Sequence, residues 1–179
     1  MKAGIRISGF GGQGIILSGV IVGKAAVFDG YNAVQTQSYG PEARGGSTRS
    51  EVVVSDEEID YPKVESASIS LILSQEAFNK YALRTKREGV IIYDPELIPD
   101  NKIEGDFKLA EINATRIASE LGTKIVANIV MLGAFSNICS LISKDSMIDS
   151  IKDSIPKMLD LNLNAFEAGM EKVKLINKN

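Results

Sequence analysis

The stretch GFGGQG, residues 9–14, is the feature that most constrains how this chain can fold. It follows the short apolar segment 5–7 and precedes an apolar run over 15–28, so the pattern predicts a strand, a glycine-rich turn and a helix. Glycines at such a turn let a ligand approach the backbone and let the helix pack close to the sheet. Because the first amides of a helix have no partner within the helix, they favour an anion.

Three interpretations of this turn stay open: a dinucleotide, another phosphate or anion, or only the packing of a tight turn. The spacing satisfies the G-x-G-x-x-G pattern of dinucleotide-binding folds. In those folds an acidic residue about 20 residues further on holds the ribose, at the end of the second strand. Here the second predicted strand offers Gln35 and Gln37, which weakens the dinucleotide interpretation.

Strands and helices alternate along the rest of the chain. Apolar runs predict strands at 5–8, 33–36, 51–55, 68–73, 89–93 and 107–112, and helical spacing predicts helices at 15–28, 75–86, 113–121, 124–142, 145–155 and 157–174. Strands that are continuous apolar runs indicate a parallel sheet covered on both faces. We therefore expect an α/β fold, a Rossmann-like three-layer α/β/α arrangement with a mostly parallel sheet and C-terminal helices. We expect residues 1–179 to form a single domain.

Composition excludes several classes of function. With a net charge of −3 and no clustered lysines and arginines, the chain does not look like a nucleic-acid binder. It has one cysteine and no histidine, so it lacks the ligands for a cysteine-based zinc or iron–sulfur site and the commonest general base. No apolar run is long and unbroken enough to span a membrane, and Met1 leads directly into the first strand. We expect a cytoplasmic protein without nucleic-acid or membrane partners.

A second glycine segment, QSYGPEARGGSTRSEV at 37–52, suggests a ligand contact. Two glycine-containing breaks, 40–41 and 45–46, flank Glu42 and Arg44. Arg44 is predicted to bind a phosphate or carboxylate through its two-pronged guanidinium, and Glu42 to position Arg44 rather than act as a base. The alternative is a solvent loop in which Glu42 and Arg44 form a weak surface ion pair.

Taken together, the two segments resemble the gamma subunit of 2-oxoacid:ferredoxin oxidoreductases. Ser47-Thr48 stands where many relatives have one residue and then serine, a departure that keeps a hydroxyl. The stretch ANIVMLGAF at 127–135 is similar to the family's C-terminal helix. The match runs through Gly9, Gly11, Gly12, Gln13 and Gly14, and then through Ser38, Tyr39, Gly40, Pro41, Glu42, Arg44, Gly45 and Gly46.

The resemblance implies a subunit of a hetero-oligomeric oxidoreductase that is inactive alone. Enzymes of this family oxidatively decarboxylate a 2-oxoacid to acyl-CoA and pass electrons to ferredoxin. The implied partners are alpha, beta and ferredoxin-like delta subunits, with ferredoxin reached through the complex. Thiamine diphosphate, iron–sulfur clusters and coenzyme A belong to the assembled complex, and none is bound by this chain alone. We take 2-oxoglutarate as the substrate, although no residue separates it from pyruvate or branched-chain oxoacids.

The predicted cofactor-side site combines both glycine segments at one rim of the molecule. The amides of Gly11, Gly12 and Gly14 are its expected anion donors, and Gln13 its orienting amide. Two alternatives from other classes stay open: an autonomous Rossmann-type reductase that uses a nucleotide or flavin, and a structural subunit without ligand contact. The remaining predicted site residues, contributed by the second segment, are Ser38, Tyr39, Gly40, Glu42, Arg44, Gly45 and Gly46.

Overall fold

The computed structural model describes residues 1–38 and 47–176. Within them, seven strands form one mixed sheet. The strands are β1 (Lys2–Phe10), β2 (Asn32–Ser38), β3 (Ser47–Ser55), β4 (Ala67–Ile72), β5 (Thr85–Tyr93), β6 (Lys108–Glu111) and β7 (Lys174–Ile176).

The strand order across the sheet is β2-β3-β1-β4-β5-β6-β7. The neighbours β1–β4, β4–β5 and β5–β6 are parallel, whereas β2–β3, β3–β1 and β6–β7 are antiparallel. Five strands therefore point in one direction, and only β3 and β7 oppose them. The carboxyl ends of β1, β2, β4, β5 and β6 lie at one edge of the sheet, and β3 begins at that edge.

In the same described residues, six helices pack on this sheet. They are α1 (Ile15–Phe28), α2 (Gln75–Tyr81), α3 (Ala114–Glu120), α4 (Ala127–Ile138), α5 (Lys144–Ser154) and α6 (Leu159–Lys172). Short 3-10 turns at Ala82–Arg84 and Lys124–Val126 extend α2 and precede α4. Within the described ranges, no helix combines the length and apolarity needed to cross a membrane.

The helices are distributed unequally over the two faces of the sheet. Alternate strand residues such as Ile7, Leu71 and Ile92 point into a large core shared with α1, α3, α4, α5 and α6, which we call the helix-rich face. Ile72 and Ile91 point the other way, into a smaller core with α2. This second side, the α2 face, is completed over β3 by the loop 56–66. The predicted three-layer α/β/α fold with C-terminal helices is confirmed.

Local sequence signals explain where several helices begin. Ser74 Oγ accepts a hydrogen bond from the Ala77 amide at the start of α2, and Ser143 Oγ accepts one from Ser146 at the start of α5. Asn113 precedes α3, but its side chain makes no capping hydrogen bond. The α3 amide of Thr115 donates instead to Asp94, a residue that follows β5.

Long-range pairing changed several predicted boundaries. β3 begins at Ser47 rather than at 51, because its first residues pair with the end of β1. The helix predicted at 75–86 ends at Tyr81, and the chain passes into β5 from Thr85. The helix predicted at 124–142 becomes a 3-10 turn and the shorter α4. β7 was not predicted, since three residues form a strand only where β6 offers a free edge.

Candidate functional site

The glycine turn joins the end of β1 to the start of α1 on the edge where the parallel strands end. Gly12 and Gly14 have φ angles of 90° and 72°, a left-handed conformation that glycine adopts without steric strain. A Cβ built on Gly12 would meet nothing within 4 Å, so the backbone at this point is open. Gly12 is thus needed for its backbone conformation alone, whereas Gly14 is also in close contact with a neighbouring side chain.

The amides of Gly11, Gly12 and Gly14 donate no hydrogen bond to another described residue. Gly14 is the N-cap of α1 and has no side chain with which to satisfy the helix's first amides. Unpaired amides and the positive end of the helix dipole together favour a negatively charged group here. The residues present therefore fit a phosphate or carboxylate at this turn.

Gln13 has a structural role in the turn. Its Oε1 accepts a hydrogen bond of 2.6 Å from the Phe10 amide, and its Nε2 donates one of 2.8 Å to the carbonyl of Leu73. These two bonds connect the ends of β1 and β4, and they leave one hydrogen of Nε2 for another partner. The sequence predicted an orienting amide but not that the fold itself uses half of its hydrogen-bonding capacity.

Gly14 is in close contact with α4. A Cβ on Gly14 would lie 2.4 Å from Asn128 Nδ2, closer than Cβ atoms come to non-bonded neighbours in real structures. Asn128 is buried, and its Nδ2 donates to Ser18 Oγ at 3.3 Å, while Ser18 Oγ donates to the Gly14 carbonyl at 2.9 Å. This short chain of hydrogen bonds connects α4 to the first turn of α1.

A cavity of about 370 Å³ opens beside the turn, at the carboxyl ends of β1, β4 and β5. Ligands of open α/β sheets bind in such a crevice. The mouth of the cavity includes Ile125, whose exposure of 83% is unusual for a large apolar side chain. Its described lining consists of Gly12, Gln13, Leu73, Asp94, Leu97, Ala114, Thr115, Lys124, Ile125, Ala127 and Asn128.

Asp94 and Thr115 line this cavity but were not predicted as site residues. Asp94 is fully buried, and its Oδ2 accepts bonds of 2.7 Å from both the amide and the hydroxyl of Thr115. Its Oδ1 accepts from the Glu96 amide. The sequence signal was an Asp-Pro pair directly after a buried strand, which places a carboxylate at the carboxyl edge. Asp94 serves here to fix the start of α3.

The second glycine segment is described only at its ends. Tyr39, Gly40, Glu42, Arg44, Gly45 and Gly46 lie outside the described residues, so their predicted roles stay predictions. Ser47, which follows them, pairs with Phe10 across the β1–β3 ladder, and a Cβ on Gly11 would be 3.9 Å from Thr48 Oγ1. The end of the second segment therefore lies beside the glycine turn.

Ser38, the last residue of β2, lies at a different place. It pairs with Arg49 on β3 and lines a second cavity of about 370 Å³ on the α2 face. This cavity shares no described lining residue with the one beside the glycine turn. Among the described predicted residues, the structure thus groups Gly11, Gly12, Gln13 and Gly14 and separates Ser38 from them.

A buried ion pair on the α2 face was missed. Arg6 on β1 is 1% exposed, and its Nε donates at 2.7 Å to Oε1 of Glu51 on β3. Its Nη1 and Nη2 donate to the carbonyls of Arg84 and Val64. The signal was the alternation Ile5-Arg6-Ile7, which puts the arginine on the opposite face from two core isoleucines.

The strand order differs from that of a dinucleotide-binding fold. β3 lies between β1 and β2 and runs antiparallel to both. The second strand is thus two positions from the glycine turn, about 10 Å away at the usual strand spacing. Gln35 on β2 donates from Nε2 to the Ile16 carbonyl and to Ser50 Oγ, so its amide serves the packing of α1 on the sheet.

Comparisons with known proteins cover nearly the whole chain. The family model described as pyruvate ferredoxin/flavodoxin oxidoreductase matches residues 4–172. The 2-oxoglutarate synthase subunit KorC of Methanocaldococcus jannaschii is 53% identical over 178 residues, which cover 97% of this chain and 95% of the relative.

Two solved structures have the same fold. The gamma subunit of a keto/oxoacid ferredoxin oxidoreductase from Geobacter sulfurreducens gives a TM-score of 0.85 at 40% identity, over 94% of this chain and 96% of that one. The 2-oxoglutarate:ferredoxin oxidoreductase from Magnetococcus marinus, solved with 2-oxoglutarate, coenzyme A and succinyl-CoA bound, gives 0.82 at 25% identity. The match covers 95% of this chain and 30% of that one.

Proposed function

We propose a function from one premise: the chain belongs to the pyruvate ferredoxin/flavodoxin oxidoreductase family. It is the gamma subunit of a multi-subunit 2-oxoacid:ferredoxin oxidoreductase. The observation that carries this conclusion is the length of the match, because 97% of this chain aligns with 95% of the KorC subunit of Methanocaldococcus jannaschii at 53% identity. The family expected from the two glycine segments is therefore confirmed.

The substrate we propose is 2-oxoglutarate, converted to succinyl-CoA in the assembled enzyme. Two findings support it: the name of the Methanocaldococcus jannaschii relative, and the 2-oxoglutarate and succinyl-CoA in the Magnetococcus marinus structure. The sequence of this chain offers no residue that separates 2-oxoglutarate from pyruvate or branched-chain oxoacids. We therefore place the choice of substrate in the partner subunits.

The role we propose for this chain is to present backbone amides to a phosphate group of coenzyme A or thiamine diphosphate. Gly11, Gly12 and Gly14 would donate those amides, and Gln13 would keep the turn in shape through its bonds to Phe10 and Leu73. Arg44 would add a guanidinium to the same phosphate. Support comes from the unpaired amides at the start of α1 and from Thr48, which brings the end of the second segment to this turn.

The cofactors would be held by partner subunits. An iron–sulfur cluster takes several cysteine ligands, whereas this chain has the single Cys139, whose thiol is buried. Thiamine diphosphate and the clusters supply the decarboxylation chemistry and the path for electrons when they are bound. Phe10 and Ile125, 40% and 83% exposed near the glycine turn, offer apolar surface to a neighbouring subunit. We place the partner contact at this edge.

Co-expression with the neighbouring subunits tests the proposed function. The complete complex should reduce an artificial one-electron acceptor with 2-oxoglutarate and coenzyme A, while the isolated chain should not. Pyruvate and a branched-chain oxoacid serve as comparison substrates. Activity of the isolated chain, or tight binding of a nicotinamide or flavin cofactor to it, would overturn the proposal and favour an autonomous reductase.

The Arg44→Ala variant tests the ligand contact within the complex. Loss of one charge-assisted hydrogen bond should raise the KM for coenzyme A, or the Kd for thiamine diphosphate, by about tenfold or more. Arg116→Ala is a matched control, because Arg116 forms an exposed ion pair with Glu120 on α3. If assembly weakens while both constants stay unchanged, Arg44 has only a structural role.

A further inference from the structure

Arg49 lies in a row of polar residues on the α2 face, away from the glycine turn. Residues directly opposite each other in neighbouring strands point to the same face of a sheet. Arg49 on β3 pairs with Ser38 on β2 and with Ser8 on β1. Ser8 is fully buried, and its hydroxyl finds no hydrogen-bond partner among the described residues. The fold therefore carries in this row a polar group, the Ser8 hydroxyl, that it does not satisfy internally.

The charge of Arg49 is poorly balanced by its neighbours. The nearest carboxylate, Glu51, makes its short contact of 2.7 Å with Arg6, whereas Arg49 Nε is 3.8 Å from the other oxygen of Glu51. Arg49 Nη1 also donates a long hydrogen bond of 3.4 Å to the hydroxyl of Tyr81. A single carboxylate is thus shared by two guanidinium groups, and the better contact belongs to Arg6.

Further cations surround the same place. Lys80 Nζ lies 5.4 Å from the centroid of the Tyr81 ring, and Arg6 and Arg49 both lie 5.6 Å from it. Lys80 donates at 3.4 Å to Ser47 and forms no ion pair with a described residue. The pKa of Tyr81 is lowered: burial raises it, but the hydrogen bonds from Ser47 and Arg49 and the charges of Arg49 and Lys80 outweigh burial. Three cations and the single carboxylate of Glu51 thus lie together here, although the whole chain has a net charge of −3.

A cavity of about 370 Å³ opens at Arg49. Lys63, from the loop that covers β3, lies on its wall and forms no ion pair with a described residue. Thr36 and Ser38 add hydroxyl groups to the same wall. The volume is within the usual range for small-molecule sites, and the lining combines the cations Arg49 and Lys63, from different elements, with the carboxylate of Glu51.

We propose that this cavity binds a small oxyanion carrying two or more charges, held by Arg49 and Lys63. Arg49 would offer the two-pronged guanidinium geometry that suits phosphate and carboxylate oxygens, and Lys63 a point charge. Bound anion would supply the negative charge that Glu51 cannot provide to both arginines. This site is separate from the glycine turn and independent of the proposed function.

Calorimetric titration of the full chain with inorganic pyrophosphate, and separately with citrate, tests the proposal. Measurements at low ionic strength and at physiological salt show how much of the affinity is simple charge attraction. Binding should weaken by about tenfold or more in Arg49→Gln and in Lys63→Gln. Arg116→Gln, which removes an exposed cation from α3, should leave the affinity within about twofold.

The two probes separate the sources of the anion. Binding of pyrophosphate alone indicates a phosphate ligand, and binding of both indicates that carboxylates are accepted too. Arg49→Lys keeps the charge and should bind with intermediate affinity, which distinguishes the guanidinium from its charge. If Arg49→Gln lowers the thermal midpoint of unfolding, its weaker binding could come from a loss of stability. The affinity of Lys63→Gln then decides between the outcomes, because Lys63 lies on a loop outside the sheet. Absent binding, or equal weakening by Arg49→Gln, Lys63→Gln and Arg116→Gln, overturns the proposal.

Discussion

Gln13 and Leu73 are connected by a hydrogen bond of 2.8 Å, from the side-chain Nε2 to the backbone carbonyl beyond β4. Together with the bond from the Phe10 amide to Gln13 Oε1, it holds the turn between two parallel strands. The turn can therefore keep its amides directed outward without a ligand. The Gln13 side chain supplies the contacts that a loop made only of glycines would lack.

Gln13→Leu should lower the free energy of unfolding by about 1–3 kcal/mol, since a partly buried and an exposed hydrogen bond are lost with little change in volume. Urea denaturation of the isolated chain measures the effect. Gln37→Leu is the matched control, because Gln37 is exposed on the edge strand β2. Equal stability of Gln13→Leu and the parent protein would show that the two bonds do not hold the turn.

Gly14→Ala should destabilise the protein more than Gly30→Ala. Both glycines have a positive φ angle, 72° and 86°, so each substitution brings a similar backbone strain. Only at Gly14 would the new Cβ collide with another group, the amide of Asn128 at 2.4 Å. We expect Gly14→Ala to lower the free energy of unfolding by about 1–3 kcal/mol more than Gly30→Ala does, as measured by thermal or urea unfolding. Adding Asn128→Ala to Gly14→Ala should recover part of that loss, and no recovery would contradict the collision.

Gly133→Ala should prevent the close crossing of α4 and α6. A Cβ at Gly133 would lie 2.0 Å from the Phe166 carbonyl oxygen, and one at Gly169 would lie 1.9 Å from the Val130 carbonyl oxygen. Neither backbone can move without separating the helices. We therefore expect Gly133→Ala to lower the free energy of unfolding by about 3 kcal/mol or more, and circular dichroism should show poor folding. Gly23→Ala on α1 is the control, with 3.9 Å to Val52 Cγ1. It should be neutral or stabilising by about 0.5–1 kcal/mol through helix propensity.

Glu51→Gln should destabilise the protein by about 3–5 kcal/mol, because it leaves the buried guanidinium of Arg6 without a countercharge. Glu120→Gln, which breaks an exposed pair with Arg116, should change stability by less than about 0.5 kcal/mol. Chemical denaturation of both variants measures the difference. The double variant Arg6→Met/Glu51→Met should be more stable than Arg6→Met or Glu51→Met alone. If its change in the free energy of unfolding equals the sum of the two single changes, the two charges do not interact.

Asp29→Asn should reduce stability at neutral pH but not in acid. Burial raises the pKa of Asp29, but hydrogen bonds from the Ser146 hydroxyl and from the amide and hydroxyl of Ser143 outweigh it, so the pKa is lowered. A carboxyl whose pKa is lowered by folding stabilises the folded chain above about pH 4. That stabilisation is lost as the pH falls through the pKa of the group in the folded protein. The difference between Asp29→Asn and the parent in urea midpoints should therefore shrink with acidification. A difference that is constant with pH would show that the charge of Asp29 is unimportant.

The features that the sequence predicted correctly depend on residues close together in the chain. The glycine turn at 9–14, the strand before it and α1 after it depend on local backbone conformation and apolar spacing, and all were predicted. Ser47 and Thr48 of the second segment lie beside this turn, while the loop residues predicted to share its rim lie outside the described residues and stay a prediction. The family followed from the combination of the two segments.

Other features depend on which strands become neighbours. The antiparallel position of β3 between β1 and β2 brings Arg6, Glu51 and Arg49 to one face, although 45 residues separate Arg6 from Glu51. Asp94 and Thr115 meet for the same reason, across 21 residues. Propensity and spacing carry no information about such pairings, because the same apolar strand can pair in either direction.

The sequence by itself determined that a strand, a glycine turn and a helix would form and that the chain has too few cysteines for an iron–sulfur cluster, because these depend on local conformation and residue type. The tertiary structure alone decided that Gln13 would hold the turn and that Asn128 would require a glycine at residue 14. It also decided that Ser38 would line a different cavity from the turn. Those outcomes depend on distances between groups far apart in the chain, which exist only after the sheet and helices have packed.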